Sequence, residues 1–263
     1  MNRVQSVPIL MYHSISREQG GQRIPYFETN TFPSVFEEHI RFLAANGYKT
    51  VGLESLVADD TEITGSKRVV ITFDDGYVDF YRNAFPVLGE YGATASVFLP
   101  TGFISTPRKT FKDRACLDWN EIRELSQYGI GFGSHTHSHP ELTTLSPAQM
   151  KEELRVSKEI IENKTGKPVL SFAYPYAFPD GKRDFIELLR GALTDAGYKI
   201  GVTTRIGLNS RDCDFLTLKR IPVNSYDDPL LFAAKLDGAY DWLNTFQTLF
   251  KKSKEFYSNS IRV

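Results

Sequence analysis

Cysteine is nearly absent from this chain of 263 residues: Cys116 and Cys213 stand far apart and form no CxxC pair. That argues against a disulfide framework and fits a reducing compartment. A folded core of this size needs no such staples. No stretch approaches the roughly 18 apolar residues of a membrane-spanning helix. Excess charge is lacking too. The chain has 31 Lys and Arg against 32 Asp and Glu, a net charge of -1, so nothing global points to nucleic acid as a partner. The segment Met1 to Pro8 is polar and no apolar run follows it, so no signal peptide is expected and the location reads as cytoplasmic. Repeats, low-complexity tracts and linkers are absent, which predicts one domain over residues 1–263. Histidine is scarce, five in all, and none follows His139.

Hydrophobic residues make up 41% and charged residues 24%, as in ordinary globular proteins. Short apolar runs at Val7 to Met11, Val69 to Phe73, Ala95 to Leu99, Ile130 to Gly133, Val169 to Tyr174, Ile200 to Thr203 and Leu216 to Val223 read as buried strands. Between them lie helical patterns. Phe36, Ile40 and Leu43 share a face, with Gly47 as a stop, and Phe80, Ala84 and Leu88 are spaced alike. Asp118 with Glu121, and Ser146 with Gln149, form capping-box patterns, the second with Pro147 at the first helical position. A helix over Asp184 to Ala196 and a long one opened by Asp228 and Pro229 complete the series. Such alternation predicts an α/β fold with parallel strands. The spacing alone does not separate a barrel from an open doubly wound sheet. Arg17 to Thr31 and Gly102 to Leu117 are long loops, often a mark of function.

Two clusters carry chemistry. Thr72-Phe73-Asp74-Asp75-Gly76-Tyr77 runs a strand into adjacent carboxylates, at the strand end where α/β folds place active sites. Adjacent carboxylates repel and normally recruit a cation; the alternative is a plain Asp-Gly turn. Ser134-His135-Thr136-His137-Ser138-His139-Pro140 holds three of the five histidines, again after a strand. His135 and His139, four apart, face one centre if the segment begins a helical turn, and His137 then points elsewhere. Together with a carboxylate they suggest a two-His-one-carboxylate metal site with open positions. That set suits metal-assisted hydrolysis and also occurs in non-haem iron oxygenases.

These motifs, in this order, resemble the polysaccharide deacetylases of carbohydrate esterase family four, the NodB-like group, over Pro8 to about Val223. The resemblance implies an irregular (β/α) barrel, an α/β fold of about seven parallel strands. It implies Asp74 as general base and Asp75, His135 and His139 as metal ligands. The cofactor implied is a divalent metal, zinc by default, with nickel, cobalt or iron as alternatives. The substrate implied is an N-acetylated glycan. Ala173-Tyr174-Pro175-Tyr176-Ala177 stands where the family carries Arg-Pro-Pro-Tyr-Gly, so the Tyr176 amide is the implied oxyanion donor. The family Arg is missing there. Arg220, within Leu218-Lys219-Arg220-Ile221-Pro222, is the candidate to replace it, an ordinary strand-end cation being the alternative. The family's late His is also missing, and His13 in Ile9-Leu10-Met11-Tyr12-His13-Ser14 resembles the permuted subgroup in which the first strand carries the catalytic acid. A purely structural His13 is the alternative.

Two other functions remain compatible with these residues: a non-catalytic carbohydrate-binding domain, and a hydrolase of small amides or cyclic ureides. His39 reads as a surface residue on the polar side of its helix, and Trp119 as core. The C-terminal segment 229–256 reads as a covering helix. Its Lys251, Lys252 and Lys254 leave peripheral contact with a membrane as the less favoured reading.

Overall fold

The computed structural model describes residues 7–18, 28–57, 67–210 and 212–239. Its centre is a closed barrel of seven parallel strands. In chain order these are β1 (Ile9–Tyr12), β2 (Lys67–Phe73), β3 (Ser96–Leu99), β4 (Gly131–Ser134), β5 (Ser171–Ala173), β6 (Ile200–Ile206) and β7 (Leu218–Pro222). Each pairs with the next, and β7 pairs with β1, Leu10 opposite Ile221, so the sheet has no free edge within the ring. The short strand Tyr48–Thr50 pairs in parallel with the start of β2, Tyr48 opposite Lys67.

Side chains alternate inward and outward along each strand. The outward set, including Leu10, Tyr12, Ile71, Phe73, Val97 and Leu99, packs in one cluster with the helices. The inward set forms a second cluster: Ile9, Val70, Phe98, Ala173, Val202 and Leu218, from every strand but β4. Strand β4 contributes Gly133 instead. A Cβ there would lie 2.5 Å from a Phe98 ring carbon, so only glycine fits beside that ring. The same alternation carries the inward line upward from Ile9 to His13, from Val70 through Thr72 to Asp74, and from Leu218 to Arg220. An apolar floor therefore gives way to polar groups at the C-terminal mouth of the barrel.

The helices follow their local signals. In α1 (Pro33–Ala45), Phe36, His39, Ile40 and Leu43 are buried. A π-helical turn over Phe80–Ala84 leads into α2 (Phe85–Glu90). Both capping boxes form, Asp118 with Glu121 on α3 (Trp119–Gln127) and Ser146 with Gln149 on α4 (Pro147–Thr165). Gly166 ends α4 at φ +69°, a left-handed cap that glycine adopts at no steric cost. Helix α5 spans Arg183–Asp195, and Asp228 caps α6 (Pro229–Leu236). No helix among the described residues is long and apolar enough to cross a membrane.

Two expectations change. His39 is not at the surface; it is 1% exposed. Its Nδ1 lies 3.1 Å from the Tyr12 hydroxyl and its Nε2 2.7 Å from the Asp227 carbonyl, while its ring stacks on Phe232 at 4.1 Å. Helix α6 covers this side of α1, which the pattern of α1 alone does not reveal. The long C-terminal helix also stops early. It ends at Leu236, and Gly238 adopts φ +80° in the turn that follows. The remainder of the expected helix, including Trp242, Phe246 and the three lysines, lies outside the described residues. Lys235 is buried, with its ammonium 2.6 Å from Asp227 and donating to the Pro222 carbonyl.

Candidate functional site

All seven candidate residues gather at the C-terminal ends of the barrel strands. His13 follows β1, Asp74 and Asp75 follow β2, His135 and His139 follow β4, Tyr176 follows β5, and Arg220 sits within β7. Six non-glycine residues among those described have positive φ. Four are Asp75 (68°), Thr136 (67°), His139 (55°) and Tyr176 (59°), and a fifth, Lys112 (49°), reaches Asp75. Each such conformation costs about 1–3 kcal/mol, and strain of this kind concentrates where geometry serves function.

Asp75, His135 and His139 are buried and present ligand atoms within 4.8 Å of one another. The segment between the histidines is not the helical turn their spacing suggested. It is a loop turned by the left-handed Thr136 and His139. The Thr136 hydroxyl accepts from the His139 amide at 3.0 Å and donates to the His135 carbonyl. His135 Nδ1 lies 2.8 Å from the Ala173 carbonyl, which fixes the proton on Nδ1 and leaves the Nε2 lone pair pointing inward. Burial lowers the His139 pKa to about 4 against the pull of Asp75, so this imidazole is neutral at pH 7.

Asp75 Oδ1 lies 3.3 Å from His139 Nε2 and 3.5 Å from His135 Nε2, yet it is a buried oxygen with no hydrogen-bond partner. A buried unpaired carboxylate oxygen is costly unless something satisfies it. A carboxylate and two imidazole nitrogens converging on one point make a donor set suited to a divalent transition metal. The other oxygen, Oδ2, accepts from the Tyr77 hydroxyl at 2.9 Å and from Lys112 Nζ at 3.3 Å.

Asp74 faces a different partner. Its two oxygens accept from Arg220 Nη1 at 2.6 Å and Nη2 at 2.7 Å, a bidentate pair with the guanidinium 0% exposed. Arg220 also donates to the Thr203 carbonyl and the Thr72 hydroxyl, and it lies over the Phe98 ring of the barrel floor. Burial raises the Asp74 pKa, but Arg220, with help from His135 and His13, brings it below its ordinary value. His13 Nε2 is 3.9 Å from Asp74 Oδ2. Burial lowers the His13 pKa despite the attraction of both aspartates. Tyr176 is exposed, with its ring edge-on to His139 at 4.7 Å.

His137 lies apart from the three converging groups, its Nδ1 3.0 Å from the Thr101 hydroxyl. Alanine at His139 is therefore expected to abolish stoichiometric metal binding, and alanine at His137 to preserve it. Metal content after dialysis against zinc checks this, and the reverse pattern would overturn the ligand set.

The sequence reading missed Lys112, and it gave Tyr77 no role beyond its place at the end of the Asp74-Asp75 motif. Lys112 stands in a hairpin of Thr110–Phe111 with Arg114–Ala115, and its ammonium also lies 4.6 Å from the Phe111 ring centre and 5.6 Å from that of Tyr176. Its only signal was the length of the loop that carries it. Trp119 is core.

The sequence pattern of the polysaccharide deacetylase family matches residues 61–200. YxkH of Bacillus subtilis, assigned to the polysaccharide deacetylases, is 36% identical over 234 residues, 88% of this chain and 76% of that protein. The poly-β-1,6-N-acetyl-D-glucosamine N-deacetylase of Staphylococcus aureus is 28% identical over 54% of this chain, and the match spans 52% of that enzyme. Among solved structures, the Streptococcus pyogenes deacetylase PplD, in complex with acetate, superposes with a TM-score of 0.75 at 27% identity. That match covers 88% of this chain and 98% of PplD.

Proposed function

The chain belongs to the polysaccharide deacetylase family, and from that premise we propose that it is a metal-dependent hydrolase removing N-acetyl groups from an amino-sugar oligo- or polysaccharide. The observation that carries the metal is the buried, unpartnered Asp75 Oδ1 set against two imidazole nitrogens. The metal assigned to Asp75, His135 and His139 is zinc, with nickel, cobalt or iron as alternatives. When bound, such an ion polarises a carbonyl and lowers the pKa of water towards neutrality.

The chain's own residues carry the rest. Asp74 accepts a proton from the attacking water, whose oxygen bonds to the acetyl carbonyl carbon. Arg220 keeps that carboxylate ionised and fixes its plane through both oxygens, the part left open by the absence of an arginine at Ala173. A carboxylate so stabilised is a weak base, which suffices only for an acidified water. The backbone N–H of Tyr176 donates to the developing oxyanion. His13, across from Asp74, delivers a proton to the nitrogen as the C–N bond breaks, because an amine leaves poorly as an anion. Acetate and a free amino sugar result. The acetate held by PplD is the kind of product this reaction releases, and the staphylococcal relative is named for such a substrate class.

The test is acetate release from β-1,6- and β-1,4-linked N-acetylglucosamine oligomers. We expect turnover with zinc, its loss under chelator and its return on re-addition. If the metal-loaded protein binds oligomers but releases no acetate, it is a carbohydrate-binding domain; if it opens cyclic ureides instead, the amino-sugar reading falls.

A further inference from the structure

We propose that Glu153 is a positioning residue for the metal-ligating loop. The proposal rests on the reading of Asp75, His135 and His139 as ligands. His135 and His139 must present their Nε2 atoms to one point, although the chain linking them is neither helix nor strand and both Thr136 and His139 itself have positive φ. Contacts within the loop are sparse: the Thr136 hydroxyl links His135 to His139, and the Ser134 hydroxyl accepts from the Thr136 amide at 3.1 Å. The tip of the loop, His137 and Ser138, needs an external anchor.

Helix α4 provides it through one carboxylate. Glu153 Oε2 accepts from the backbone amides of both His137 and Ser138 at 2.8 Å, and Oε1 accepts from the Ser138 hydroxyl at 2.6 Å. Three donors from two consecutive residues thus converge on one side chain. Charge-assisted hydrogen bonds of this kind are short and strong. One helical turn further on, the Ser157 hydroxyl lies 2.5 Å from the Ser134 hydroxyl at the base of the same loop. Residues four apart share a helix face, so α4 holds the loop at its base and at its tip. The spacing of Glu153 and Ser157 on a rigid helix sets the span between the two ligands. The loop is also held outside α4, where the Gly102 amide donates to the His137 carbonyl at 2.8 Å.

A carboxylate that merely stabilised the fold would lower the melting temperature and leave zinc affinity alone. A positioning residue lowers affinity, because the histidines of the metal-free protein no longer converge. The experiment measures the zinc Kd of the full chain by competition with a chromophoric chelator, with thermal melts of the metal-free forms alongside. We expect Glu153→Ala to weaken zinc binding by about 10- to 100-fold, the range typical of groups that orient metal ligands. Glu153→Gln retains an oxygen for the two amides and should recover most of the affinity. Glu152→Gln, one residue away on the exposed side, should match the wild type. If Glu153→Ala folds and binds zinc with the wild-type Kd, the proposal is overturned; if that variant does not fold, a Glu153→Asp variant with wild-type Kd overturns it instead, since its shorter side chain cannot span all three donors. If the wild type itself binds no zinc, or His139→Ala binds it normally, the ligand reading beneath the proposal fails instead.

Discussion

Replacing Asp74 by Asn is expected to lower acetate release by about 10²- to 10⁴-fold while zinc content stays at the wild-type level. The amide cannot take a proton from water, and Asp75, not Asp74, faces the two histidines. The change is isosteric, but it breaks a buried ion pair and is therefore expected to cost stability. Arg220 is wholly buried and spends both terminal nitrogens on the Asp74 carboxylate. An asparagine offers one acceptor and turns its NH₂ group towards the guanidinium, leaving a buried cation without its counter-charge. Breaking one side of a buried pair typically costs about 3–5 kcal/mol. Activity must therefore be measured on protein shown to be folded and metal-loaded. A variant in that state with near-normal turnover would remove Asp74 from the role of base.

The complementary change, Arg220→Met, is expected to destabilise the protein by a similar amount, about 3–5 kcal/mol. Here a carboxylate is stranded at the mouth of an apolar barrel. Its pKa must rise, since burial then acts without the opposing guanidinium. The acid limb of the pH–activity profile should move to higher pH, because Asp74 acts only when ionised. The double variant Asp74→Asn with Arg220→Met should regain much of the stability lost by either single change, since no uncompensated charge remains. It should stay inactive. Urea unfolding of the four proteins gives the coupling energy directly. Simple additivity of the two single effects would mean that the pair does not act as a unit.

What the linear chain made legible was local. Asp118 with Glu121 and Ser146 with Gln149 form the capping boxes their spacing implies, because the partners are three residues apart and meet whenever a helix begins. Asp75, His135 and His139 were visible as candidates because each follows a buried apolar run, and parallel strands deliver their ends to a common face. Even there the local geometry escaped. A spacing of four implied a helical turn, whereas left-handed residues at Thr136 and His139 reverse the chain, held by contacts to α4 that no spacing rule encodes.

The sequence by itself determined the strands, most of the helices and the chemistry gathered at the strand ends. Periodicity and capping depend only on near neighbours. The tertiary structure alone decided which strands are adjacent, and hence that β7 closes on β1 to form a barrel and not an open sheet. It also decided which charges meet. Arg220 finds Asp74 across 146 residues of chain, and Lys112 finds Asp75 across 37. His39, polar on an exposed-looking helix face, becomes core because α6 arrives to cover it, bringing the Asp227 carbonyl 188 residues further along. A hydrophobic pattern states that a face must be buried, but not by what. The partner is chosen by closure of the whole barrel, and the charges at its mouth are paired as a consequence.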